Sequence, residues 1–109
     1  MNLYDKKCVP CEGWVNPFDE AQIKTHLSQL RSKWGVLDAT KIKKEFKFKD
    51  FREAMIFVNK VAELAETEGH HPDIHISYDK IIIELWTHAI RGLSENDFIM
   101  AAKINKLLA

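Results

Sequence analysis

Along the chain the spacing of apolar positions alternates between the helical period and the extended one. Residues 1–15 follow neither and are expected to form an irregular N-terminal segment, leaving 16–109 as a single domain. Asn16 as a cap, Pro17 at the first helical position and Asp19-Glu20 in the first turn predict a helix running to about Arg31. Its inner stripe is Ile23, Leu27 and Leu30, and His26, beside that stripe, is expected at the surface. Trp34 to Leu37 and Lys41 to Lys49 then read as two strands joined by Asp38-Ala39-Thr40, because Ile42, Phe46 and Phe48 share one parity among lysines and Glu45. Asp50, with Glu53 three residues on, opens a long helix whose apolar face is Phe51, Ala54, Val58, Val61, Ala62 and Ala65, and Gly69 stops it. Phe46, Phe48 and Phe51 are expected to meet in the core.

Pro72 holds His71 extended, after which Ile74, Ile76 and Tyr78 alternate with His75 and Ser77. Asp79-Lys80 turns the chain into a strand from Ile81 to His88, with Ile81, Ile83, Leu85 and Thr87 on one face and Ile82, Glu84, Trp86 and His88 on the other. Ser94 with Asp97 makes a second capping box, and Phe98, Ile99, Ala102 and Leu107 suit a C-terminal helix. The order α-β-β-α-β-β-α, with each strand pair close enough to be a hairpin, predicts an α+β domain: a four-stranded antiparallel sheet with three helices on one face. The other face is left for solvent or another subunit.

The 16 basic and 16 acidic side chains cancel over 109 residues. Zero net charge removes the general attraction on which nonspecific nucleic-acid or anionic-membrane binding relies, so a small-molecule or protein partner is expected instead. No apolar run approaches the roughly 20 residues of a membrane span and the N-terminus has no apolar signal core, so the expected location is cytoplasmic. Cys8 and Cys11 form a lone Cys-x-x-Cys, short of a four-ligand zinc site, and are expected as reduced thiols outside the packed domain.

Four of the five histidines fall between positions 70 and 88. His70 and His71 stand where a helix ends, beside a rigid Pro72, and imidazoles titrate near neutrality, so the pair is suited to giving and taking protons in one cleft. The longer pattern runs Glu66, three residues, His70-His71-Pro72, then Tyr78, then nine residues to His88 and eight more to Asp97. It resembles the pterin-4a-carbinolamine dehydratases, and the likeness covers roughly residues 34 to 108, taking in Phe46 to Phe51 and Gly92-Leu93-Ser94.

That resemblance implies a hydro-lyase acting on 4a-hydroxytetrahydrobiopterin or a related pterin and recycling the cofactor of aromatic amino acid hydroxylases. It implies His70, His71 and His88 as the catalytic set, with His70 and His88 as the acid/base pair and His71 mainly holding the pterin. Glu66, Pro72 and Asp97 would support them, and Asp73 and Tyr78 would join His71 at the substrate. No cofactor or metal is implied, the pterin being the substrate, and a homodimer or homotetramer is expected. Other readings stay open: a protein that stabilises dimers of a transcription factor, a dehydratase-like protein of molybdopterin metabolism, or a metal binder using the histidines and cysteines. His26 and His75, outside the pattern, are expected to be structural or surface residues, and Trp34 and Trp86 packing residues.

Overall fold

In the computed structural model, which describes residues 2–10, 13, 15–30 and 33–108, the expected order of elements is present. Helix α1 is Glu20–Leu27, strands β1 and β2 are Gly35–Leu37 and Lys41–Lys47, α2 is Phe51–Glu68, β3 and β4 are Asp73–Ser77 and Lys80–Leu85, and α3 is Glu95–Lys106. The strands lie in the order β1-β2-β4-β3, all antiparallel. Each hairpin closes on left-handed backbone at residues other than glycine, Asp38 and Ala39 in the first (φ 51° and 56°) and Tyr78 in the second (φ 53°).

Pairing of Ile42 with Leu85 and of Phe46 with Ile81 sets the register, and it puts the apolar parity of both central strands on the helix side. Ile42, Phe46, Ile81, Ile83 and Leu85 are buried there against Ala54, Phe57, Val58 and Val61 of α2 and Phe98, Ile99, Met100 and Ile104 of α3. Asp50 caps α2 by accepting a hydrogen bond from the Glu53 N–H at 2.9 Å, and Gly69 ends it in the left-handed region (φ 67°).

Several expectations need correction. α1 begins at Glu20, because Asp19 rather than Asn16 is its cap: the Asp19 carboxylate accepts from Gln22 N–H and the Gln22 side-chain Oε1 accepts from Asp19 N–H. Pro17 and Phe18 are held outside by the Phe18 N–H bond to the Leu93 carbonyl at 2.7 Å. The helix ends at Leu27, and Arg31 lies outside the described residues. β2 stops at Lys47 and β4 at Leu85, beyond which Thr87 bridges to Gly92 and residues His88–Ile90 form a short 3-10 turn. Phe51 and Ala62 are exposed while Phe57 is buried, since the face of α2 that meets the sheet runs through 54, 57, 58, 61 and 65. Phe51 instead stacks on Tyr78, with ring centroids 6.4 Å apart. His26 is half-buried rather than freely exposed: its ring packs between Phe18 and Phe98, at 4.6 and 5.3 Å.

The N-terminal segment is largely irregular but it is not loose. A 3-10 turn at Leu3–Asp5 leaves Leu3 only 3% exposed, and Cys8 packs against the core. Cys8 is therefore part of the packed domain, and Cys11 lies outside the described residues.

Candidate active site

Gly69 turns the chain out of α2 with both its own N–H and that of His70 directed at the Ala65 carbonyl, at 2.9 and 3.3 Å. This turn sends the His70 side chain toward α3. There its Nε2 lies 2.6 Å from Asp97 Oδ1, with the imidazole 11% exposed and the carboxylate wholly buried. Asp97 Oδ2 accepts from the Thr87 hydroxyl at 2.8 Å and from the Ser94 N–H at 3.0 Å. Asp97 thus caps its own helix and holds an imidazole at once, and every buried acceptor site it offers is used. A carboxylate only accepts, so Nε2–H of His70 is the donor and Nδ1 is the ring nitrogen left to exchange a proton with a bound molecule.

His71 points elsewhere. Its Nε2 meets Glu66 Oε2 at 2.5 Å, with both side chains more than half exposed, so this ion pair adds little to stability and leaves His71 presented to solvent. Glu66 therefore serves His71 rather than His70.

His88 opens the 3-10 turn after β4, and its ring stacks on Trp86 with centroids 3.9 Å apart and planes at 25°. The Trp86 indole N–H is anchored on Asp73 Oδ2 at 2.9 Å, and Lys41 Nζ lies 5.0 Å from the indole ring. Trp86 is thus a platform under His88 and not a core residue. The turn is clamped by Thr87 N–H to the Gly92 carbonyl at 2.8 Å, and Thr87 is also the residue that reaches Asp97.

The β3–β4 pairing that opposes Asp73 to Glu84 is what brings 70–73 beside 86–88. His70, His71, Pro72, Asp73, His88, Glu66 and Asp97 consequently gather at one end of the sheet. Tyr78 does not join them: it sits at the opposite end of the hairpin, roughly 15 Å of extended chain beyond Asp73, and is 65% exposed. Asp73 is engaged by Trp86. His75 faces Glu84 at 3.7 Å on the outer sheet face. Among the described residues no three His, Cys, Asp or Glu side chains gather in a way that would hold a metal ion.

Sequence reasoning did not single out Thr87 or Trp86 for the site. Thr87 carried a signal, a hydroxyl on the otherwise apolar parity of β4; for Trp86 the partner Asp73 lies on another strand. Two concavities, of about 330 and 590 Å³, lie away from the histidines, the first beside Phe48, Ile56 and Leu107 and the second among Leu3, Tyr4, Leu30, Lys44 and Asn105. Within the histidine cluster His71 and His88 are exposed, whereas His70 is largely buried on Asp97.

Comparison with known proteins agrees with the resemblance drawn from the histidine pattern. A family profile described as pterin 4 alpha carbinolamine dehydratase matches residues 16–107. A protein of Rickettsia bellii (strain OSU 85-389), carrying the provisional name pterin-4-alpha-carbinolamine dehydratase, is 50% identical over 106 residues, 97% of this chain and 94% of its own. One of Alkaliphilus metalliredigens (strain QYMF), with the same provisional name, is 48% identical over 96% of this chain and 95% of its own. Among solved structures, a Brucella melitensis protein titled transcriptional coactivator/pterin dehydratase superposes with a TM-score of 0.79 at 34% identity, covering 86% of this chain and all of that one. A pterin dehydratase-like protein titled a RuBisCO assembly factor in the alpha-carboxysome shares the fold, with a TM-score of 0.61 at 24% identity over 71% of this chain and 90% of its own. With the profile matching most of its length and relatives about half identical to it over nearly all of theirs, the chain belongs to the pterin 4 alpha carbinolamine dehydratase family.

Proposed function

We propose that this protein removes water from a tetrahydropterin hydroxylated at its 4a carbon, giving the quinonoid dihydropterin and so restoring the cofactor of an aromatic amino acid hydroxylase. The observation that carries the reading is the His70–Asp97–Thr87 chain of hydrogen bonds, which joins one held imidazole to the turn that presents a second, His88.

Hydroxide is a poor leaving group, so the C4a oxygen must receive a proton as its bond to carbon breaks, while the neighbouring ring nitrogen gives up its own as the C=N bond forms. One imidazole donates and the other accepts; the products are water and the dihydropterin, with no change of oxidation state. The pair ends with its protons exchanged and resets through solvent, to which the His88 ring is exposed. His70, oriented by Asp97, and His88, supported by Trp86, take these two roles, and His71 binds the pterin.

Stopped-flow measurement of the decay of a 4a-hydroxytetrahydropterin, with and without the purified protein, tests the reading. Accelerated loss of the carbinolamine is expected, and an uncatalysed rate would overturn it. Running the biopterin and molybdopterin-type substrates side by side separates the two pathways, and elemental analysis of the purified protein addresses the metal-binding alternative. The double title of the Brucella melitensis structure favours a second role, as a partner of a transcription factor, and a pull-down that retains no such protein while turnover persists would leave the enzyme alone.

A further inference from the structure

The N-terminal segment makes polar contacts that its aperiodic sequence does not announce, and four of them, on Glu68 and Asn96, fall within two residues of the His70–Asp97 pair. Asn96, immediately before Asp97, clasps the peptide groups of Val9 from both sides: its Oδ1 accepts from Val9 N–H at 3.0 Å and its Nδ2 donates to the Val9 carbonyl at 2.6 Å. Glu68, two residues before His70, divides its carboxylate between Cys8 N–H, at 2.9 Å on Oε1, and Lys103 Nζ of α3, at 2.8 Å on Oε2. The Cys8 thiol completes the set, 3.6 Å from the Asn96 carbonyl. Leu3, buried, anchors the strap from below.

His70 leaves the C-terminal end of α2 and Asp97 stands in the first turn of α3, so their 2.6 Å contact spans two elements that no loop joins directly. The strap is a third element fastened to both, on the residues adjoining each partner. Its surroundings agree with a closed junction: burial, then the charges of Glu68 and Asp97, push the Cys8 thiol up to about 12, so it stays protonated and unreactive. Burial works against the Glu68 carboxylate, yet the hydrogen bonds from Lys103 and Cys8 outweigh it and hold the group below the ordinary carboxylate range.

We propose that residues 3–10 are a positioning strap that holds the end of α2 against the start of α3, keeps His70 in line with Asp97, and makes Asn96, Glu68 and Lys103 positioning residues for the dehydration. The inference rests on the catalytic reading of His70, but the coupling it asserts has a readout that does not. A ring N–H donated to a buried carboxylate at this distance is protected from solvent exchange and gives a downfield proton resonance.

The test uses the full chain with Asn96→Ala, Lys103→Met and the conservative Lys103→Arg. Expected in the first two are loss or broadening of the His70 Nε2–H resonance and a kcat lower by roughly tenfold to a hundredfold with KM little changed, the cost of a misplaced proton-transfer group. Lys103→Arg, which keeps a donor for Glu68, should restore both. Should Asn96→Ala fail to fold, the two lysine variants carry the comparison. A sharp, unmoved resonance together with unaltered kcat in folded Asn96→Ala or Lys103→Met would overturn the strap's role. A wild type without dehydratase turnover would overturn the catalytic reading instead, leaving the resonance to decide whether the strap holds the pair.

Discussion

His70 and His88 reach the same end of the sheet by different means, one through a buried carboxylate and the other through an aromatic platform, and this difference determines how each responds to substitution. His70→Ala and His88→Ala are each expected to slow dehydration by on the order of 10² to 10⁴ while leaving the circular dichroism spectrum unchanged, because each removes one proton-transfer group. Wild-type turnover by either variant would exclude that residue from the acid/base pair. His71, exposed and paired with exposed Glu66, should behave otherwise: His71→Ala should weaken pterin binding more than it slows the bound complex, as a titration of binding beside single-turnover kinetics would reveal. The histidines and Asp97 were legible in the sequence because their spacing is a linear pattern. Thr87 and Trp86 were not, since what makes them part of the site is a contact with Asp97 across ten residues and with Asp73 across a hairpin. Tyr78 fits the linear pattern equally well, yet the geometry of an antiparallel hairpin carries its turn away from the strand ends that hold the histidines.

Elements were legible wherever one period ruled for several residues, which is why α2 and the two central strands stand close to where alternation and caps put them. Boundaries failed where two signals competed. Asn16-Pro17 and Asp19-Gln22 are both plausible helix starts, and the choice is made by tertiary contact, because Pro17 is wedged against Gly92. A Cβ at Gly92 would lie 2.6 Å from Pro17 Cβ, on a ring that cannot rotate away. Gly92→Ala is therefore expected to cost about 1–3 kcal/mol, lowering the thermal unfolding midpoint by several degrees, and to disturb the turn that presents His88. An unchanged midpoint would mean that Pro17 yields freely. The N-terminal strap was invisible for another reason: it is held mainly by hydrogen bonds to its backbone, which leave no apolar period to read. Its attachment should depend on pH with a definite sign. The folded Glu68 carboxyl lies below its ordinary value of 4.5, so the stability it contributes is whole above pH 4.5 and is lost as the pH falls from there through the folded value. Protection of the Cys8 and Val9 amides against hydrogen exchange should decline over that acid range before the core strands open. Amides that stay protected until global unfolding would show that the carboxylate is dispensable to the strap.

At the scale of the whole molecule, the sheet's two edges are unequal. The β1 edge is three residues long, whereas β3 runs for five along the other side without a single lysine to discourage pairing, in the sequence Asp73-Ile74-His75-Ile76-Ser77. Apolar surface collects on that side: Ile76 is 46% exposed, Tyr78 stacks in the open on Phe51, and Ile56 of α2 is also exposed. Exposed apolar side chains beside an edge strand are what a second copy of the same chain can cover, with β3 meeting its twin about a two-fold axis. The protein is accordingly expected to sediment as a dimer or a larger even-numbered assembly. Ile76→Lys sets a charge on the inner face of that edge strand, where two-fold pairing would bring it toward its own copy, and should shift the protein to monomer in sedimentation velocity. Because the histidines stand at the other end of the β3–β4 hairpin, and the His70–Asp97 and His88–Trp86 contacts are made within one chain, the monomer should retain its activity per chain. A wild type that sediments as a monomer at micromolar concentration would show that the β3 edge is tolerated bare, and a monomeric Ile76→Lys without turnover would show that the site draws on the neighbouring copy.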